Sequence, residues 1–144
     1  MKFTESNAFI NVNLKNKDEV FNFIKDLNEK NNYADEKLVD SMKARDKTST
    51  VAIGNYLAIP HCEYEYATSI KNNSFIFIKL KKKINWDGHD VLFVIALILN
   101  DNDQIDALEE IALSFSDEDN VLKFYKNCNS VEQINEFIEK QGEI

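Results

Sequence analysis

Val91-Leu-Phe-Val-Ile-Ala-Leu-Ile-Leu99 is an unbroken apolar run, preceded by Trp86-Asp87-Gly88 and followed by Asn100-Asp101. Nine residues are too few to cross a hydrocarbon layer about 30 Å thick as a helix. A run of this length between turn residues fits a central β-strand covered on both faces. Upstream, Ser74 to Leu80 alternates as a second strand, and Lys81 to Asp90 reads as a polar excursion between the two. Thr50 to Ile53 and Tyr56 to Ile59 are short β-rich runs separated by Gly54-Asn55, a tight-turn signal. A further short strand is expected at Phe9 to Leu14.

Helical signals flank these strands. Asn16 followed by Glu19 predicts a capped helix over Lys17 to Asn31, with Val20, Phe21, Ile24 and Leu27 as its buried stripe. A second helix is expected near Asp35 to Ala44, ending close to Arg45. After the central strand, Gln104 to Phe115 carries Ile105, Leu108, Ile111, Ala112 and Phe115. Ser116 is expected to cap the next segment, and Ser130 with Gln133 the last. The expected class is α/β: a single mixed β-sheet flanked by helices on its faces, in three layers. No internal repeat or boundary interrupts it, so one domain over residues 1–144 is expected.

Composition narrows the function. With 25 acidic and 17 basic residues the net charge is −8, which disfavours nucleic acid and anionic membrane and favours a partner with a basic face. MKFTESNAF lacks the apolar core of a secretory signal, so a cytoplasmic site without direct membrane insertion is expected. Two cysteines, Cys62 and Cys128, fit a reducing compartment. Sixteen lysines stand against one arginine, Arg45, a bias that replaces Arg wherever Lys will serve. Arg45 then marks either a chance survivor or a place that needs a rigid fork of donors for paired oxygens.

Few residues can carry chemistry. His61, Cys62, His89 and Cys128 lack zinc-ligand spacing, and no metal or other cofactor is expected. No glycine-rich phosphate loop or nucleophile elbow is present, and a Cys62–His89 pair rests on no positional signal. His61 closes Ala58-Ile59-Pro60-His61, where the chain's only proline is expected to end the strand and turn the next side chain outward onto the lip of the sheet. It is either a solvent-facing loop histidine or a reactive one.

From Arg45 to His61 the chain reads Arg-Asp-Lys-Thr-Ser-Thr-Val-Ala-Ile-Gly-Asn-Tyr-Leu-Ala-Ile-Pro-His. This stretch resembles the signature of the mannitol/fructose family of IIA phosphocarrier domains in the bacterial phosphoenolpyruvate-dependent sugar phosphotransferase system. Trp86-Asp87-Gly88, the apolar strand after it, the helical C-terminal third and the overall length are similar too, so the resemblance spans nearly the whole chain. It implies a phosphotransferase component with a phosphohistidine intermediate. His61 would accept a phosphoryl group from HPr and pass it to a cysteine of a IIB domain or permease, feeding uptake of a sugar or sugar alcohol. Arg45 would neutralise the phosphoryl oxygens in flight.

The chain departs from the family pattern in three places. Gln104 stands at the position of the family's second histidine. Val51 stands where the family has a threonine, which leaves Thr50 as the candidate hydroxyl contact. Cys62-Glu63 replaces small residues, and His89 matches a variable surface position. A regulatory IIA-like module that senses carbon or nitrogen supply without delivering phosphate to a transporter is the alternative, and a binding domain without phosphoryl chemistry a third.

Overall fold

The computed structural model describes all residues 1–144. Its centre is a hairpin of β4 (Ser74–Trp86) and β5 (His89–Ile98), closed by Asp87 and Gly88 at φ 51° and 91°. Two consecutive positive φ values match the right-handed twist of the strands, which explains the Asp-Gly pair. Lys81 to Asp90 is therefore not an excursion. Pairing slips between Lys79 and Ile84, so the lysines at 81 to 83 stand in solvent, and the ladder resumes at Ile84↔Val91 and closes at Trp86↔His89. Trp86 is fully buried.

β1 (Ala8–Val12) adds in parallel to β4, and β3 (Tyr56–Ala58) in parallel to β5. With β2 (Ala52–Gly54) antiparallel to β3, the sheet order is β1-β4-β5-β3-β2. This is the mixed sheet expected from the strand signals.

Helices cover both faces. On one side lie α1 (Lys17–Asn31) and α2 (Leu38–Thr48), whose Val20, Phe21, Ile24, Leu38 and Met42 pack on Ile76, Ile78, Val94 and Ala96. On the other lie α4 (Asp101–Ser114), α5 (Glu118–Asn127) and α6 (Val131–Glu139), whose Ile111, Val121, Phe124 and Ile134 meet Phe77, Phe93 and Ile95. β4 and β5 are thus buried on both faces. A one-turn helix, α3 (Tyr64–Ala67), follows the β3 segment.

The caps follow local chemistry. Asn16 accepts the Glu19 N–H while the Glu19 carboxylate accepts the Lys15 N–H, a reciprocal pair that fixes the start of α1. Ser130 accepts from Gln133. The cap of α5 is Asp117 rather than Ser116: its carboxylate takes the Asn120 N–H, while the Ser116 hydroxyl turns back to the Leu113 carbonyl. α2 runs to Thr48, so Arg45 lies inside its last turn and not beyond its end.

Gly54, Asn55 and Tyr56, at φ 92°, 50° and 65°, bend β2 into β3. The Asn55 amide donates to the Phe115 carbonyl at 2.8 Å and to that of Ser116 at 3.2 Å, serving acceptors left over at the end of α4. Asn also tolerates the left-handed backbone that Ala resists. Asn55→Ala is expected to lower stability by about 2 kcal/mol, combining the lost bonds with backbone strain. Urea unfolding followed by Trp86 emission checks this; a loss under about 0.5 kcal/mol contradicts it.

Candidate active site

Beyond Ala58 the chain keeps company with β5. The Ile59 N–H donates to the Val51 carbonyl, the Leu97 N–H donates to the Pro60 carbonyl at 2.8 Å, and His61 bridges Leu97. Proline lacks a donor but keeps its acceptor, so Pro60 continues the ladder with one hand. Alternation holds as well: Leu57 and Ile59 enter the core beneath α4 to α6, Ala58 and Cys62 the core beneath α1 and α2. His61 falls on the α4 side and is only 7% exposed. The expected outward-facing position on the lip of the sheet is corrected: the imidazole is buried at the C-terminal edge of β3.

The His61 Nδ1 lies 2.6 Å from the Ile59 carbonyl oxygen. A carbonyl can only accept, so Nδ1 carries the proton and the Nε2 lone pair is free. Burial pushes the imidazole below its ordinary value; the Ile59 bond opposes this, and the nearby positive charge of Arg45 adds to the lowering. His61 is therefore a neutral imidazole at pH 7 with its Nε2 lone pair available.

Arg45 reaches this region from the last turn of α2. One N–H of its guanidinium donates to the Ser49 carbonyl at 2.8 Å. It joins no ion pair, although Asp46 follows it directly. Gln104 is the fourth residue of α4, on the same face as Ala107 and Ile111 and therefore turned toward the sheet. Its Oε1 is buried without a hydrogen-bond partner. Because β5 leads into α4 through Asn100, Gln104 and His61 share one end and one face of the sheet.

Thr50 is engaged elsewhere. Its hydroxyl accepts the Ala52 N–H at 3.3 Å. It also faces Asp87, whose carboxyl is held below the usual carboxylate range by Lys17 first and by the Thr50 hydroxyl in addition. Asp103 accepts from the Asn73 amide, while Glu63 is exposed beyond the site. His89 is exposed at the opposite end of β5 from Leu97. Cys62 is buried, and desolvation pushes its thiol up to about 12, which disfavours the thiolate that a nucleophile needs. No three His, Cys, Asp or Glu side chains converge to hold a metal ion, and no helix is long and apolar enough to cross a membrane.

The family described as "Phosphoenolpyruvate-dependent sugar phosphotransferase system, EIIA 2" matches residues 1–141. The chain belongs to this family. Among its relatives, the mannitol-specific phosphotransferase enzyme IIA component of Mycoplasma pneumoniae is 37% identical, over 99% of this chain and 100% of that protein. That of Staphylococcus aureus strain Mu50 is 28% identical over 96% and 95%. The fold is that of IIA mannitol from Escherichia coli, at TM-score 0.81 and 19% identity over 96% and 99% of the two chains. An Escherichia coli complex of IIA with phosphorylated IIB contains a chain matching at TM-score 0.83 and 19% identity, over 96% and 98%. This EIIA 2 chain is accordingly a phosphotransferase component of a sugar uptake system and relays phosphoryl groups.

Three features of this site go beyond what was expected from the sequence: the Ile59 acceptor, which is a backbone atom; the burial of His61; and the separation of Arg45 from Asp46. The first two follow from the one-handed pairing of Pro60. For the third, the signal was present in the adjacency of the two residues, since helix neighbours point about 100° apart.

The pH behaviour follows. In nitrogen-correlated NMR spectra, His61 is expected to titrate below 6.5 and to carry its proton on Nδ1 when neutral. Any attack by Nε2 needs that nitrogen unprotonated, so the rate of such a step falls as pH drops through the lowered value. A midpoint above 6.5, or a proton resident on Nε2, contradicts this.

Proposed function

We propose that His61 accepts the phosphoryl group of phospho-HPr on Nε2 and passes it to the cysteine of a IIB domain or permease. The carrying observation is the 2.6 Å bond from Nδ1 to the Ile59 carbonyl, which leaves Nε2 as the only nucleophilic nitrogen. As the Nε2–P bond forms, the P–N bond to HPr breaks and its electron pair returns to the departing imidazole. Positive charge developing on His61 is shared with the Ile59 carbonyl through Nδ1–H. The IIB thiolate later reverses the logic, breaking Nε2–P as S–P forms and restoring the neutral ring.

Arg45 is suited to hold two phosphoryl oxygens, because its guanidinium is fixed by Ser49 and claimed by no carboxylate. Phosphoryl transfer depends mainly on such placement of charge. Gln104 supplies the second contact: a half-turn of its amide replaces the unpartnered Oε1 with an N–H₂ donor, and the two orientations are not distinguished by shape. Thr50 would join only by turning its O–H away from Asp87, since accepting from Ala52 leaves that donor unused. We assign the whole of residues 1–144 to this one unit, working in the cytoplasm. Mannitol is the sugar alcohol we favour, on the 37% identity to a mannitol-specific relative. The regulatory alternative has no observation in its favour.

His61→Ala is expected to abolish phosphorylation by phosphoenolpyruvate, enzyme I and HPr, while His89→Ala retains it, read as acid-labile, base-stable phosphate by mass. Arg45→Lys, with a point charge in place of a fork, is expected to slow transfer about tenfold without unfolding. A phosphorylated His61→Ala protein ends the assignment.

Gln104→His is expected to speed acceptance from phospho-HPr by about tenfold or more, since a charge-assisted contact is worth roughly 1.5–3 kcal/mol. Quenched single-turnover measurement checks it; a slower rate means that the amide already supplies what the site needs.

A further inference from the structure

Asp46 occupies a position on the buried stripe of α2 that apolar residues hold elsewhere, four residues after Met42, and is 4% exposed. Its Oδ1 accepts the Val51 N–H at 3.0 Å and the Trp86 indole N–H at 3.0 Å. Its Oδ2 accepts from the Lys17 ammonium at 2.9 Å. Lys17 in turn bonds Asp87 at 2.9 Å. One carboxylate thus ties the end of α2, the entry to β2, the tip of the β4–β5 hairpin and the start of α1. It is also the residue after Arg45.

A buried carboxylate next to the chain's only guanidinium is an obvious rival for it. In this structure the rivalry is avoided twice. The helix turns the two side chains apart, and Lys17 supplies the counter-charge that Arg45 would otherwise provide. Because α2 ends at Thr48 and Ser49 caps it, the Val51–Asp46 bond also fixes the short segment whose Ser49 carbonyl holds the guanidinium.

We infer that Asp46 is a positioning residue for Arg45, and that Lys17 is the cation that keeps the Arg45 fork free for a phosphoryl group. This rests on the assignment of His61 and Arg45 above, which has its own test: a wild-type chain not phosphorylated on His61 fails that assignment before any Lys17 variant is made.

Without Lys17 the Asp46 charge is uncompensated and draws on Arg45; removing that charge as well should release Arg45 again. The experiment measures single-turnover transfer from phospho-HPr across a range of its concentration. Lys17→Met is expected to lower the limiting rate at least fivefold with half-saturation moved less than twofold. Adding Asp46→Asn to Lys17→Met is expected to bring the rate back to within twofold of Asp46→Asn alone. A merely structural ion pair would be rescued in the same way, so the deciding arm is an Arg45→Ala background, where Lys17→Met changes the rate less than twofold if it acts through Arg45 and by its full factor, overturning the inference, if it acts on the fold alone. An unchanged rate in Lys17→Met, or a double variant as slow as Lys17→Met, overturns the inference.

Trp86 emission and circular dichroism identify any variant that does not fold. If Lys17→Met is one, the cycle of Asp46→Ala with Arg45→Ala decides instead. Asp46→Ala should slow transfer when Arg45 is present and change it less than twofold when Arg45 is absent. Losses that multiply overturn the inference in that arm.

Discussion

The parallel alignment of the segment from Tyr56 to His61 along β5 is the constraint on which the rest depends. Proline at the penultimate position would be expected to release the chain from the sheet. Its carbonyl instead accepts from Leu97 at 2.8 Å, and that single bond carries the strand direction as far as His61. Register then sets everything the imidazole experiences. Alternation puts it on the α4 side, and proximity to Leu97 puts it where β5 turns into the helix bearing Gln104. The turn of the chain from Ile59 to His61 brings a backbone acceptor to Nδ1. A shift by one residue would move the ring into the opposite core, among α1 and α2, away from the start of α4 that carries Gln104.

The two faces of the sheet divide the labour at this site. The α4 face supplies burial and a neutral amide; the edge of the α1–α2 layer supplies the positive charge. Arg45 is brought to the edge because α2 leads directly into β2, the edge strand next to β3. The guanidinium therefore approaches from the side while the ring sits under the helix. A charge held by a backbone carbonyl, with no carboxylate bound to it, does not have to break a strong pair before it meets a phosphate.

Where residues speak through local chemistry, the sequence was legible. α1 lies at Lys17 to Asn31 as the Asn16–Glu19 pair predicts, and the central strand is covered on both faces as its apolar run requires. Legibility failed where tertiary context overrules a local signal. The lysines at 81 to 83 look like a loop because the slipped register between Lys79 and Ile84 exposes them in succession, which breaks alternation without breaking the strand. α2 extends past Ala44 because Asp46, polar in sequence, is satisfied inside the structure by Val51, Trp86 and Lys17. Arg45 and His61 were conspicuous as the lone arginine and the histidine after the lone proline. The burial of His61 could not be read, since it depends on a bond that Leu97 makes from another strand.

A carrier must both take and release the same group, which limits how firmly the site should hold it. A contact that stabilises the resting phosphohistidine as much as the transition state lowers the barrier to acceptance but leaves the barrier to release where it was. One fixed cation and a neutral amide are consistent with that balance. On the proposed assignment, Arg45 is tethered by Ser49 and meets the equatorial oxygens of the phosphoryl group in flight with little reorganisation. A second cation in place of Gln104 would favour the phosphorylated state itself, and a gain on the inbound step would not be repeated on the outbound one. The rate of relay through both steps is then set by the slower of the two, so on the proposed assignment a second charge that speeds acceptance alone adds little once release is the slower step.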